Sequence, residues 1–101
     1  MKRMIRYTLK PGRAAENEGF VAKVFEELKR LAPPGLRYAT FRLADGVSFV
    51  HLVSYDTAEA QQALPALPAF KAFVAGIQER CAEAPVTTEL TEIGSYGFFD
   101  D

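Results

Sequence analysis

With 101 residues, 49% hydrophobic and 25% charged, the chain has the composition of an ordinary globular domain. Its net charge of −1, without any basic stripe, argues against a nucleic-acid partner. Cys81 is the only cysteine, which excludes an intrachain disulfide and a zinc site built from several thiolates. Residues 1–101 read as one domain, and a chain of that length buries roughly 65% of its unfolded surface, enough for a core without staples. No apolar run approaches the roughly 18–20 residues that span a bilayer, and the N-terminus lacks the apolar region of a signal peptide. Together with a lone thiol, this leads to the expectation of a cytoplasmic protein with no membrane partner.

Residues 4–10 alternate and are β-prone, and Pro11-Gly12 supplies turn chemistry after them. Over residues 14–31, Phe20, Val21, Val24, Phe25, Leu28 and Leu31 recur at helical spacing, and Pro33-Pro34-Gly35 stops the helix. Residues 36–43 and 47–55 flank Ala44-Asp45-Gly46 as a hairpin. Asp56, three residues before Glu59, predicts the cap of a short helix over 58–64. Pro65 and Pro68 interrupt it, and a second segment over 69–84 carries Phe70, Phe73, Val74, Ile77 and Cys81 on one stripe. Pro85 closes that segment, and 86–93 reads as the last strand. The tail 94–101 is unusually aromatic, with Tyr96, Phe98 and Phe99.

The resulting β-α-β-β-α-β order predicts a ferredoxin-like α+β domain: a four-stranded antiparallel sheet with the helices on one face. Right-handed crossovers place the first and third strands in the centre. In the hairpin, one parity holds Val47, Phe49, His51, Val53 and Tyr55; the other holds Val50 and Leu52, with Ala39, Phe41 and Leu43 beside them. Both faces are apolar, yet two helices cover only one. Either the tail returns over the open face or a second copy packs sheet against sheet, and the expectation is a homodimer.

The chain resembles the dimeric α/β-barrel superfamily, and within it the antibiotic-biosynthesis-monooxygenase-like group. The features that carry the resemblance are Lys10-Pro11-Gly12 after the first strand, Tyr55 at the end of the third, and the run Leu64-Pro65-Ala66-Leu67-Pro68-Ala69-Phe70-Lys71-Ala72-Phe73. It implies a pocket between sheet and helices, used by some members for cofactor-independent oxygenation of polycyclic phenols. Active members commonly carry Trp where Tyr55 stands, and many carry His where Leu64 stands. Haem-degrading members have an Asn in the first strand, whereas the sole Asn here, Asn17, opens the first helix; haem degradation is therefore not expected.

His51, the only histidine, shares the parity that the resemblance turns toward the pocket, as a proton acceptor or an orienting group. The alternative is a hydrogen-bonded structural histidine. Tyr55 and Tyr38 offer hydroxyls to a small aromatic or quinone-like ligand, and Phe49 and Phe73 would wall the pocket. Tyr7 and Tyr96 offer hydroxyls too, although strand tyrosines are more often packing residues. Arg6, Arg37 and Arg42 would bind an anion only if they faced inward; otherwise they lie at a solvated edge or form a salt bridge across the dimer. Cys81 on the helical stripe reads as core. No Gly-rich phosphate cradle, nucleophile elbow or metal-spaced His/Asp/Glu cluster is present, so no cofactor and no metal is expected. Two readings follow: a cofactor-independent monooxygenase-like enzyme, or a non-catalytic small-molecule-binding or accessory homodimer.

Overall fold

A computed structural model of the chain describes residues 1–98. Strand β1 (Lys2–Leu9) leads through the Pro11-Gly12 turn into α1 (Ala14–Leu31), which presents Val24 to the core with Phe20, Val21 and Leu28 packed around it. The helix stops at Ala32 in the left-handed conformation (φ 46°), whose N–H donates to the Leu28 carbonyl at 2.7 Å, and Pro33 prevents continuation.

Strands β2 (Leu36–Arg42) and β3 (Ser48–Tyr55) form the expected hairpin. Asp45 organises its turn: one carboxylate oxygen accepts from the N–H groups of Val47 and Ser48 at 2.9 and 2.8 Å, and Gly46 takes φ 80°. Helix α2 (Ala58–Ala66) is capped by Thr57, not by Asp56, because the Thr57 hydroxyl reaches the Ala60 N–H at 3.1 Å. Pro65 is accommodated within α2, and Pro68 opens α3 (Pro68–Ala75) at a position where no N–H is needed.

The largest departure from the sequence expectation follows α3. The helical segment does not run to residue 84; it breaks at Gly76, makes the single turn α4 (Ile77–Arg80), and enters β4 (Cys81–Leu90). Cys81 is thus the first residue of a strand, not part of a helical stripe, although it is still buried. Pairing with β1 outweighs the high helix propensity of Ala82, Glu83 and Ala84, since Leu9 lies opposite Cys81 and Thr8 opposite Glu83. Pro85 is tolerated because β4 is an edge strand and irregular at that point. Arg6 pairs with Val86 and Leu9 with Cys81, so β4 uses two more residues than β1 over this stretch.

The sheet order is β2-β3-β1-β4, antiparallel throughout, with the first and third strands central as expected. One face is covered by helices over a core that includes Leu9, Val24, Phe49, Val53, Leu64, Phe73 and Ile77. The other face bears Ala39, Phe41, Val50, Leu52 and Val86, of which Phe41 and Val86 are exposed. Ile93 and Tyr96 in the tail are almost fully exposed and do not cover it; Phe99 lies outside the described residues. Among the described residues, no helix is long and apolar enough to cross a membrane.

Gly76 is demanded by packing: a Cβ there would sit 2.7 Å from Arg80 Nη1. Helix propensity alone makes Gly76→Ala neutral or stabilising by up to about 1 kcal/mol. The contact reverses that sign, and the variant should lose about 1–3 kcal/mol in urea denaturation, as overpacked sites do.

Candidate functional site

The β2–β3 register and the position of β1 bring three strand residues to one point under the helices. Tyr38, Tyr7 and His51 come from β2, β1 and β3, and all point inward by parity. His51 is 2% exposed. Its Nε2 lies 2.8 Å from the Tyr7 hydroxyl, and its Nδ1 lies 2.5 Å from the Tyr38 hydroxyl and 3.0 Å from that of Thr40. Both ring nitrogens are therefore engaged by protein hydroxyls.

Behind Tyr7 the chain of contacts continues into the helices. Asn17, fully buried, donates from Nδ2 to the Tyr7 hydroxyl at 2.8 Å, and its Oδ1 accepts from Arg80 Nε at 3.3 Å. Arg80 is 1% exposed. Its Nη2 donates to the Phe73 carbonyl at the end of α3 at 2.9 Å, and its guanidinium lies over the rings of Phe20 and Phe73, 4.4 and 5.5 Å from their centroids. The carboxylates of Glu16 and Glu79, which feel its charge, are held above it by Arg13 at 2.6 and 2.8 Å.

A cavity of about 270 Å³ opens beside this array between the sheet and α2–α4. Tyr7, Tyr38, His51 and Tyr55 form its polar side, and Ile5, Val53, Leu64, Phe70, Phe73 and Ile77 its apolar walls. Exposed Val74 and Gln78 mark its mouth. Among the described residues, no Asp, Glu, Lys or Arg lines it.

Four of the five residues singled out from sequence thus meet at one cavity: His51, Tyr55, Tyr38 and Phe73. Phe49 does not wall it. Its rung lies nearer the hairpin turn, opposite Tyr7 and Arg42, and there its ring stacks on Tyr7 with centroids 5.7 Å apart. Phe49 supports the site from the core. Arg37 and Arg42 form exposed ion pairs with Asp56 and Glu18, and Arg6 is exposed, so none of the three faces the cavity. The inward arginine is Arg80. Sequence reading missed it and Asn17, although both interrupt apolar stripes: Asn17 precedes Phe20, Val21 and Val24 at helical spacing, and Arg80 follows Phe73 and Ile77 in the same way. Among the described residues no group of three His, Cys, Asp or Glu side chains is placed to hold a metal ion.

Burial sets the titration of the site. It pushes His51 down from 6.5 to about 4. Burial raises Tyr7 to about 12 against the opposing hydrogen bond from Asn17, and raises Tyr38 well above the usual phenol range against one from Thr40. At neutral pH the imidazole and both phenols are uncharged. Between pH 6.5 and 4 the unfolded chain binds a proton at His51 that the folded chain refuses. Stability must then fall as pH drops through that window, by about 3 kcal/mol in all. Urea midpoints measured across the window should show this slope, and His51→Gln should flatten it.

No family model matches the chain, and no curated protein does. Solved structures do. A candidate antibiotic biosynthesis monooxygenase from Bacteroides thetaiotaomicron superposes with a TM-score of 0.78 at 20% identity, covering 100% of this chain and 95% of its own. One from Nitrosomonas europaea gives 0.77 at 16% identity, over 95% and 92% of the two chains. SnoaB, a cofactor-independent oxygenase from Streptomyces nogalater, gives 0.67 at 20% identity, over 95% of each. The ferredoxin-like chain described here has, over essentially its whole length, the fold of the antibiotic biosynthesis monooxygenase structures.

Proposed function

We propose that the protein is a monooxygenase-like enzyme that works without a cofactor on a small aromatic or quinone-like molecule. The observation that carries this reading is the cavity: about 270 Å³, walled by aromatic and aliphatic side chains, uncharged in its described lining, with an imidazole and three phenols as its main polar groups. That volume is at the small end for ligand pockets and suits about two fused rings. A dihydroxyaromatic that gives up a proton can supply all four electrons that reduce dioxygen, one oxygen atom entering the ring to give a hydroxyquinone and the other leaving as water, so the protein's share is to bind it, take the proton and exclude solvent. In this reading His51 accepts or orients the proton, Tyr38 and Tyr55 donate hydrogen bonds, and Phe73 forms the wall. The shared fold with a cofactor-independent oxygenase supports it.

A second reading, a non-catalytic small-molecule-binding or accessory protein, is favoured by one observation. Both nitrogens of His51 are already engaged and burial holds it at about 4, as suits a fixed, neutral orienting group. Oxygen uptake with dihydroxynaphthalenes separates the two. Under the enzymatic reading, His51→Ala lowers turnover by about 10²–10⁴-fold, the size of a general-base contribution. Under the binding reading there is no turnover to lose, and the variant alters only the affinity for 2-hydroxy-1,4-naphthoquinone. Neither turnover nor binding would sink both.

We further propose a two-fold dimer through the outer sheet face, where Phe41 and Val86 are exposed on the same side as Ala39, Val50 and Leu52. Sedimentation should give twice the chain mass, and the double variant Phe41→Glu, Val86→Glu should sediment as a monomer. A monomeric wild type rejects the dimer.

A further inference from the structure

We infer that Arg80 and Asn17 are positioning residues, which act through Tyr7 to hold His51 with its proton on Nδ1 and so leave the Tyr38 hydroxyl free to donate to whatever occupies the cavity. The inference rests on the proposed role of the cavity for its consequence, but the geometry carries the relay itself.

The direction of the chain is forced at one end. A guanidinium only donates. Arg80 Nε, 3.3 Å from Asn17, therefore fixes the oxygen of that amide toward itself and turns the NH₂ to Tyr7, 2.8 Å away. The Tyr7 oxygen, having accepted from Asn17, has its own proton to give, and His51 Nε2 stands 2.8 Å from it. An Nε2 that accepts is an Nε2 without a proton, so a neutral imidazole carries its proton on Nδ1. From Nδ1 it donates to Tyr38, 2.5 Å away. Thr40 Oγ1, 3.0 Å from the same Nδ1, shares that proton as a second acceptor. Having accepted from Nδ1, Tyr38 has its own proton to give and turns its O–H to the cavity it lines. Tyr7, which also lines the cavity, keeps one acceptor position open. The site thus offers its occupant one donor and one acceptor, on opposite edges of a single imidazole. An opposite chain direction would exchange those two roles.

Because the chain has one histidine, the imidazole tautomer can be read directly. Long-range proton–nitrogen correlation spectra of histidine-labelled protein at pH 8 distinguish the nitrogen that bears the proton from the bare one. In the wild type the proton should be on Nδ1; a proton on Nε2 overturns the inference. Asn17→Asp reverses the relay: a carboxylate beside Arg80 only accepts, Tyr7 must donate to it, and the His51 proton should move to Nε2. An unchanged tautomer in that variant shows that Asn17 fills space without directing the chain. If the variant fails to fold, the wild-type spectrum still decides. Arg80→Met, which frees the amide to turn, should give a mixture of the two tautomers, and a single one identical to wild type counts against Arg80. Asn17→Asp should also weaken 2-hydroxy-1,4-naphthoquinone binding about tenfold, the worth of one hydrogen-bond donor. The spectra need neither ligand nor turnover. The expected tautomers in a protein that binds no aromatic ligand would therefore leave the relay standing and remove the proposed function.

Discussion

A guanidinium taken almost entirely out of water has to be met on every side, and much of this molecule is arranged to meet Arg80. Losing its hydration costs several kcal/mol, and among the described residues no carboxylate bonds it directly to offset that. It is held instead by an amide from α1, a carbonyl left over at the end of α3, and the faces of two phenylalanines. Each of these constrains something else. The carbonyl contact fixes where α3 ends, and Gly76 has to lack a side chain for the guanidinium to fit. The charge is answered at longer range by Glu16 and Glu79, which Arg13 clamps together across the start of α1 and the short turn of α4. An exposed ion-pair cluster of this kind is ordinarily worth little. Here it also lies over a buried charge.

The same arrangement ties packing to chemistry. Tyr7 is at once a core residue, stacked on Phe49, and the middle of the polar chain from Arg80 to His51. His51 in turn is wedged between rings, with centroids 5.3, 5.5 and 5.6 Å away in Tyr7, Phe73 and Tyr38. An imidazole so enclosed has little freedom to rotate, and its neutral form is kept by desolvation. The cavity lies where this polar chain meets the split second helical segment.

Most of the architecture could be read from the sequence because hydrophobic periodicity is a strong signal: α1 and the β2–β3 hairpin follow from it, and the handedness of the crossovers then orders the sheet. That His51 and Tyr55 share one parity was equally plain, but with both faces apolar it was the family resemblance that turned this parity toward the pocket. Two things were hidden. The boundary at Cys81 was obscured because Ala82, Glu83 and Ala84 are strong helix formers, and pairing with β1, a non-local contact, overrides that preference. Asn17 and Arg80 were hidden because each reads alone as a surface residue; only the folded chain brings together positions that are far apart in sequence. Phe49 illustrates the opposite error, since its parity is right and its rung is one step too far along the strand.

The irregular pairing at the start of β4 has a consequence for how this chain tolerates change. Between the Arg6–Val86 and Leu9–Cys81 rungs, β4 carries two extra residues, taken up one at a time: one before the Thr8–Glu83 rung and one after it. Each is absorbed where it falls, so Cys81 still faces inward opposite Leu9 and Arg80, next to it, still reaches Asn17. This edge can therefore take up a change of length that a central strand, hydrogen-bonded on both sides, cannot.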